Sequence, residues 1–82
     1  MFDSLKDLES FVKSEEYKDT KKDILMFNAN LKMKRNISDI LDLKIQINEY
    51  FEELKEKDKR MYIVFSLNKK ILEDEINSKI NN

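Results

Sequence analysis

The chain contains neither glycine nor proline in 82 residues, and this double absence restricts its fold more than any motif does. Glycine and proline form the tight turns of hairpins and the sharp loops of α/β proteins. At average usage, about ten such residues would be expected in a chain of this length. The sequence therefore favours a few long helices over a β-sandwich or an α/β fold.

Cysteine and histidine are also absent, which excludes several kinds of active site. The chain has no thiol nucleophile, no imidazole base and no zinc site of the usual kinds. We interpret its two acidic concentrations as solvated helix faces. They are Glu49, Glu52, Glu53 and Glu56, and the run Glu73-Asp74-Glu75. We predict that the chain is not an enzyme and that it binds no metal or cofactor.

Helical periodicity divides the chain into four segments. The first opens at Ser4, which together with Asp7 resembles a capping box. The second opens at Ser14, where the glutamates that follow suit the positive end of a helix. In this second segment, side chains recur at intervals of three and four residues, which is the spacing of one helix face. They are Tyr17, Thr20, Ile24, Phe27 and Leu31.

Two polar stretches bound the third segment. At residues 34–36 the apolar stripe slips and Asn36 can cap a new helix, which predicts a turn or kink, although a continuous helix would also fit. Residues 55–60 are the most polar stretch and are predicted to form the loop before the last helix. Residues 61–65 are predicted to be helical, but their β-branched and aromatic side chains would also suit a buried strand.

We predict an all-α fold, with residues 1–82 forming a single domain built as a small bundle of three or four antiparallel helices. Charge alternates along the chain, at −3, +4, −4 and +2 for residues 1–20, 21–36, 37–58 and 59–82. Consecutive antiparallel helices suit this pattern, because each lies beside a neighbour of opposite charge. A domain this short buries only about 60–65% of its unfolded surface. We therefore expect a homodimer or a partner helix to complete the bundle.

The third segment has an unusually wide apolar stripe. Leu41, Leu43, Ile45 and Tyr50 extend it beyond a two-stranded seam, so we expect this helix to touch more than one neighbour. Four aromatic residues are the candidate anchors for a protein partner, although the same residues would also serve an ordinary core. They are Tyr17, Phe27, Phe51 and Phe65.

The only concentration of positive charge lies between residues 21 and 35. It comprises Lys21, Lys22, Lys32, Lys34 and Arg35. Lys21, Lys32 and Arg35 would share one exposed side if the helix is straight, and such a patch can contact a phosphate backbone. A merely solvated face is favoured, because the chain has a net charge of −1 and little arginine.

Each end of the chain carries a patterned stretch. Near the start it is Leu8-x-x-x-Val12-x-Ser14-Glu15-Glu16-Tyr17-Lys18, followed by Leu25 and Leu31. Near the end it is Tyr62-x-x-x-x-Leu67-Asn68-x-x-x-Leu72-x-x-x-Ile76-Asn77-x-x-Ile80. These stretches resemble the opening and closing helices of the YlbF/YmcA family of small helical bacterial proteins. The chain departs from the family in being shorter before the last helix, where it lacks the usual Asn-Pro, and in having no cysteine-bearing tail.

The resemblance implies a helical dimer or hetero-oligomer that acts as a non-catalytic accessory factor. Family members of this kind work with an RNA-processing nuclease and in competence, sporulation and biofilm pathways. The iron–sulfur association of some members does not carry over, because this chain has no cysteine.

Taken together, these patterns predict a protein–protein interaction module or regulatory adaptor that buries an amphipathic helix face against a partner. Two alternatives stay open: a nucleic-acid-binding protein that uses residues 21–35, and a small phage or mobile-element inhibitor of a host protein. No apolar run approaches the roughly 20 residues that span a bilayer, and no secretory signal is recognisable. We expect a cytoplasmic bacterial protein with no membrane or small-molecule partner.

Overall fold

A computed structural model describes residues 2–81, and these residues form five helices and no strand. The helices are α1 (Leu5–Lys13), α2 (Glu15–Met33), α3 (Ile37–Lys57), α4 (Lys59–Val64) and α5 (Ser66–Asn81). The prediction of an all-α fold is confirmed for this part of the chain.

Short polar side chains make the breaks before α2, α3 and α4, in place of the missing glycine and proline. The side-chain oxygen of Ser14 accepts a hydrogen bond from the backbone N–H three residues later, at 3.2 Å. Asn36 accepts one from two residues later at 2.8 Å, and Asp58 from three residues later at 3.1 Å. Each bond satisfies an N–H group that the start of a helix leaves unpaired. The predicted caps at Ser14 and Asn36 are confirmed, as is the turn at residues 34–36.

The first helix is also capped as predicted. The Asp7 N–H donates to the Ser4 Oγ at 3.1 Å. In a capping box the acid would accept in return from the Ser4 N–H. Here the Asp7 carboxylate accepts instead from the N–H of Asp3, at 3.4 Å.

The predicted loop at residues 55–60 is wrong. α3 continues to Lys57 and α4 begins at Lys59, so Asp58 alone lies outside the helices. Lysine and glutamate are good helix formers, and a dense run of them does not end a helix. The break comes instead from the Asp58 cap. Residues 61–64 are helical, as predicted, and not a strand.

α4 and α5 meet at a bend around Phe65. The Phe65 N–H still donates to the carbonyl of Met61 at 3.1 Å, so the hydrogen-bond pattern is barely interrupted. The Ser66 hydroxyl donates to the Ile63 carbonyl at 2.7 Å. Such bonds from serine back to the preceding turn bend helices, and they account for a bend that has no glycine or proline.

The core draws apolar side chains from every helix, and α3 contributes the most because α2, α4 and α5 all pack against it. Burying one such side chain contributes about 1.5–3 kcal/mol. The buried residues are Phe11, Ile24, Leu31, Ile40, Leu43, Ile47, Phe51, Leu54, Met61, Phe65, Leu72 and Ile76.

The molecule is long and thin, with extents of 44 × 21 × 17 Å and a radius of gyration of 14.2 Å. A compact domain of this length would have a radius of gyration of about 12 Å. Its accessible surface is 6053 Å², whereas a compact monomer of this mass exposes about 5,200 Å². The fold therefore leaves about 850 Å² more surface exposed than its mass requires.

Candidate interaction surfaces

The four aromatic residues predicted as partner anchors lie in the core or against it. Phe51 and Phe65 are 0% and 5% exposed, while Tyr17 and Phe27 are half-buried and pack on the core cluster. The rings of Tyr17 and Phe65 pack at 5.3 Å between centroids. Phe51 and Phe65 therefore offer a partner almost no surface, because other helices of the same chain already cover them.

An arginine that the sequence analysis missed holds α1 against α4. The Arg60 guanidinium lies over the rings of Phe11 and Phe2, at 4.6 and 5.1 Å from their centroids. It also lies 3.7 Å from the Asp7 carboxylate. Each cation–π contact contributes about 0.5–1 kcal/mol at an exposed site, and the exposed ion pair adds little. No local pattern in the sequence points to this contact, which joins residues about 50 positions apart.

Tyr50 marks where α2 and α3 touch. Its hydroxyl donates to the Asp23 carboxylate at 3.0 Å, and its ring meets Phe27 edge-on at 5.3 Å. Burial of the ring, together with the hydrogen bond to Asp23 and its negative charge, raises the pKa of Tyr50 to about 12. The neutral hydroxyl is therefore the stable donor, and residue 50 of α3 lies level with residues 23–27 of α2.

A cavity of about 200 Å³ opens beside Tyr50, between α2 and α3. Its rim is mostly acidic and its floor is formed by Thr20, Leu54 and Met61. Within residues 2–81, no group of three carboxylates is arranged to hold a metal ion. The cavity thus brings together a mostly acidic rim and a small, largely apolar floor.

The structure does not gather the five predicted basic residues into one patch. Lys21, Lys22 and Lys32 are exposed on α2. Lys21 and Lys32 share one side of the helix but lie about 16 Å apart along its axis, since they are separated by three turns.

The two remaining basic residues leave the line of α2. The helix ends at Met33, and Lys34 has an extended backbone with ψ of 134°. The Lys79 ammonium donates a hydrogen bond to the carbonyl oxygen of the half-buried Lys34 at 3.2 Å. Arg35 lies beyond this turn, so the straight helix that would align Lys21, Lys32 and Arg35 on one side does not extend to Arg35.

An exposed apolar stripe follows the N-terminal half of α3. Ile37, Leu41 and Ile45 are spaced four residues apart, and they are 42–56% exposed. The stripe leads into a shallow acidic region lined by Asn48, Glu49, Glu52, Glu53 and Glu56. We call the stripe together with Glu49 and Glu52 the α3 face. Leu43 is buried and Tyr50 faces α2, so the widened sequence stripe is divided between the core and this exposed face.

A basic and apolar surface lies on α2. Lysines line its N-terminal half and small or flexible apolar side chains its C-terminal half, around a shallow depression of about 370 Å³. The lining residues are Lys18, Lys21, Lys22, Leu25, Met26 and Ala29, and we call this surface the α2 face. Ala29 is the only alanine in the chain. Met33, one turn further on, is 75% exposed.

A third stripe runs across the bend between α4 and α5. Ile63, Leu67 and Ile71 are again spaced four residues apart, and all three are exposed. Apolar side chains on α2, on α3 and across α4 and α5 thus remain partly uncovered in one copy of the chain.

Compared with protein-family models, curated proteins and solved structures, the chain matches none. The resemblance to the YlbF/YmcA family therefore stays a prediction that depends on the two stretches quoted above. None of the helices described for residues 2–81 has the length and apolar character needed to cross a membrane.

Proposed function

We propose that the chain is a non-catalytic protein–protein interaction module that buries an exposed apolar helix face against a partner. The α3 face carries this proposal, because three large aliphatic side chains form one continuous row on the longest helix. Single exposed leucines are ordinary on soluble proteins, whereas contiguous apolar patches bordered by polar residues mark binding sites. The acidic region beside the stripe supplies such a border.

The surface area of the chain supports the same proposal. It exposes about 850 Å² more than a compact monomer of its mass. A standard protein interface buries about 800 Å² on each partner. Association through one such face would therefore bring the exposed area close to that of an ordinary compact domain.

We further propose that the helices form an antiparallel bundle that association completes. Two observations support this arrangement. The connection between α2 and α3 is only three residues long, and Tyr50 contacts Asp23 and Phe27 well away from that connection. Two helices joined so closely that touch again at a distance must fold back on one another.

The module is proposed to act in the bacterial cytoplasm as a regulatory adaptor. The family resemblance suggests an accessory role in RNA processing, and an inhibitor of a host protein would use the same exposed stripes. A nucleic-acid partner is less favoured, because Lys34 and Arg35 lie off the line of the α2 lysines.

The test is a pull-down with the tagged full chain from a lysate of the source organism, with and without nuclease. The double variant Leu41→Asp/Ile45→Asp removes the apolar part of the α3 face, and Leu5→Asp, at 72% exposed on α1, is the matched control. We expect a stoichiometric protein partner that survives nuclease, is retained by the control and is lost from the double variant. Equal capture by both variants would refute the role of the α3 face. Partners that disappear with nuclease would support nucleic-acid binding instead.

A further inference from the structure

We infer that the partner of the α3 face is the α2 face of a second copy of this chain, so that copies associate head to tail. This inference rests on the proposed function and names its partner. It follows from the positions of the two faces, from the order of charged and apolar residues along each, and from the exposed area.

The two faces lie on opposite sides of the α2–α3 pair. Tyr50 is a side chain of α3 that contacts α2, and Leu41, nine residues away, points about 180° from it around the helix. Phe27 is a side chain of α2 that contacts α3, and Leu25 and Ala29 each point about 160° from it. Each face thus points away from the other helix, and one copy cannot use its α2 face to cover its own α3 face.

The charges of the two faces are complementary. The α2 face runs from lysines to apolar residues along the chain, and the α3 face runs from apolar residues to glutamates. Because the two helices fold back on one another, the lysines and the glutamates lie at the same end of the molecule. A second copy shifted sideways, without rotation, therefore brings lysines to glutamates and apolar residues to apolar residues.

The spacing along the two helices also agrees. Tyr50 is level with residues 23–27, which puts Lys21 level with about residue 53 and Ala29 level with about residue 45. From Lys21 to Ala29 the axial distance is about 12 Å, and from Ile45 to Glu52 it is about 10 Å. Ala29, whose side chain is a single methyl group, leaves room in the depression for Ile45 of the next copy.

Physical roles can be assigned to both halves of this contact. Removal of the aliphatic side chains from water supplies the driving force, and the Lys–Glu pairs at the edge fix the direction of docking. Pairing either face with its own copy would leave its lysines or its glutamates without opposite charges. Because each copy keeps one free face of each kind and is shifted without rotation, head-to-tail contact does not stop at a dimer and adds copies in an open row.

The test is the mass of the purified full chain by sedimentation equilibrium over a range of concentrations. Two double variants each remove one face: Leu41→Asp/Ile45→Asp for the α3 face, and Leu25→Asp/Met26→Asp for the α2 face. Far-UV circular dichroism checks that both remain helical, as expected for substitutions at exposed positions.

We expect the measured mass of the unmodified chain to exceed the monomer mass of 9.9 kDa and to increase with protein concentration. Each variant alone is expected to stay monomeric, because it lacks one half of the contact. An equal mixture of the two is expected to form a dimer and stop there, since only one productive pair of faces remains. The control Leu5→Asp is expected to associate like the unmodified chain.

Two results would overturn the inference. One is an unmodified chain that stays monomeric at all concentrations. The other is a variant that still dimerises alone, which would mean that the face it retains pairs with itself. The pure chain could instead be monomeric while the α3 variant still loses a partner in the pull-down. That result would refute self-association and would still support the proposed function.

Charge reversal gives a second, independent measurement. Lys21→Glu/Lys22→Glu and Glu49→Lys/Glu52→Lys should each weaken self-association at least about tenfold, because like charges then face each other. Mixing these two variants should restore it, since each reversed face then meets a reversed partner. In 1 M salt, charges are screened beyond about 3 Å. The unmodified chain, the two charge variants and their mixture should then all self-associate to the same extent. Failure of the mixture to recover would contradict the pairing of these two faces.

Discussion

Replacing Phe51 by leucine tests whether this ring belongs to the core of one chain or to a surface for a partner. The ring is 0% exposed and meets Tyr50 and Tyr62 edge-on, at 5.5 and 6.5 Å between centroids. Truncation to alanine would cost about 3–5 kcal/mol, close to the whole stability of a small domain, which is about 4–12 kcal/mol for this length. Leucine retains most of the apolar volume but loses two aromatic contacts worth about 0.5–1.5 kcal/mol each. We therefore expect Phe51→Leu to lower the free energy of unfolding by about 2 kcal/mol.

The assay is urea unfolding followed by far-UV circular dichroism at low protein concentration. A chain of this size has a urea dependence of about 1 kcal/mol per M, so the midpoint should fall by about 2 M. The exposed substitution Leu5→Ala is the control and should change stability by less than about 0.5 kcal/mol. Self-association of Phe51→Leu should persist wherever the variant is folded. An unchanged midpoint combined with loss of association would show that Phe51 is a partner anchor, and would refute the reasoning from burial.

Three further predictions concern the contacts that define the helices. Tyr50→Phe keeps the ring but removes the hydrogen bond to Asp23. Because the pair is partly exposed, this change should lower the free energy of unfolding by only about 1 kcal/mol. Urea unfolding at neutral pH measures this loss, and an unchanged midpoint would contradict the prediction. The pKa of Tyr50 is raised to about 12 in the fold, so the stability from its neutral hydroxyl is complete below about pH 10 and is lost as pH rises towards 12. The midpoint difference between the unmodified chain and Tyr50→Phe should accordingly shrink over that interval, and a constant difference would exclude this titration. Ser14→Ala removes the cap of α2 and should lower the free energy of unfolding by about 1 kcal/mol, whereas Ser14→Asp should retain much of that stability. Equal urea midpoints for the two variants would argue against the cap.

The helix boundaries show what local sequence can predict. A cap depends on a side-chain oxygen and a backbone N–H two or three residues away, so Ser14 and Asn36 were recognisable from their neighbours alone. Asp58 is the same kind of residue, but the charged run around it suggests a loop. Its neighbours are good helix formers, and they remained in α3 and α4.

The candidate surfaces were predicted less well than the helices. Phe51 and Leu41 are both large apolar residues on α3, and each belongs to a run with helical spacing. Periodicity shows that they lie on different sides of the helix, but it does not tell which side another helix will cover. The sequence favours the aromatic residues as anchors, whereas the structure buries Phe51 and exposes Leu41.

By itself, the sequence determined that the chain is helical and where most of its helices begin. Those properties depend on the absence of glycine and proline, on propensity and on caps, all of which act within about four residues. Only the tertiary structure decided which apolar stripe is covered. The contact between Tyr50 and Asp23 joins residues 27 positions apart, and the packing of α2, α4 and α5 on α3 buries Phe51 while Leu41 stays exposed. Burial is a property of such distant contacts, and the surface left for a partner is whatever they do not cover.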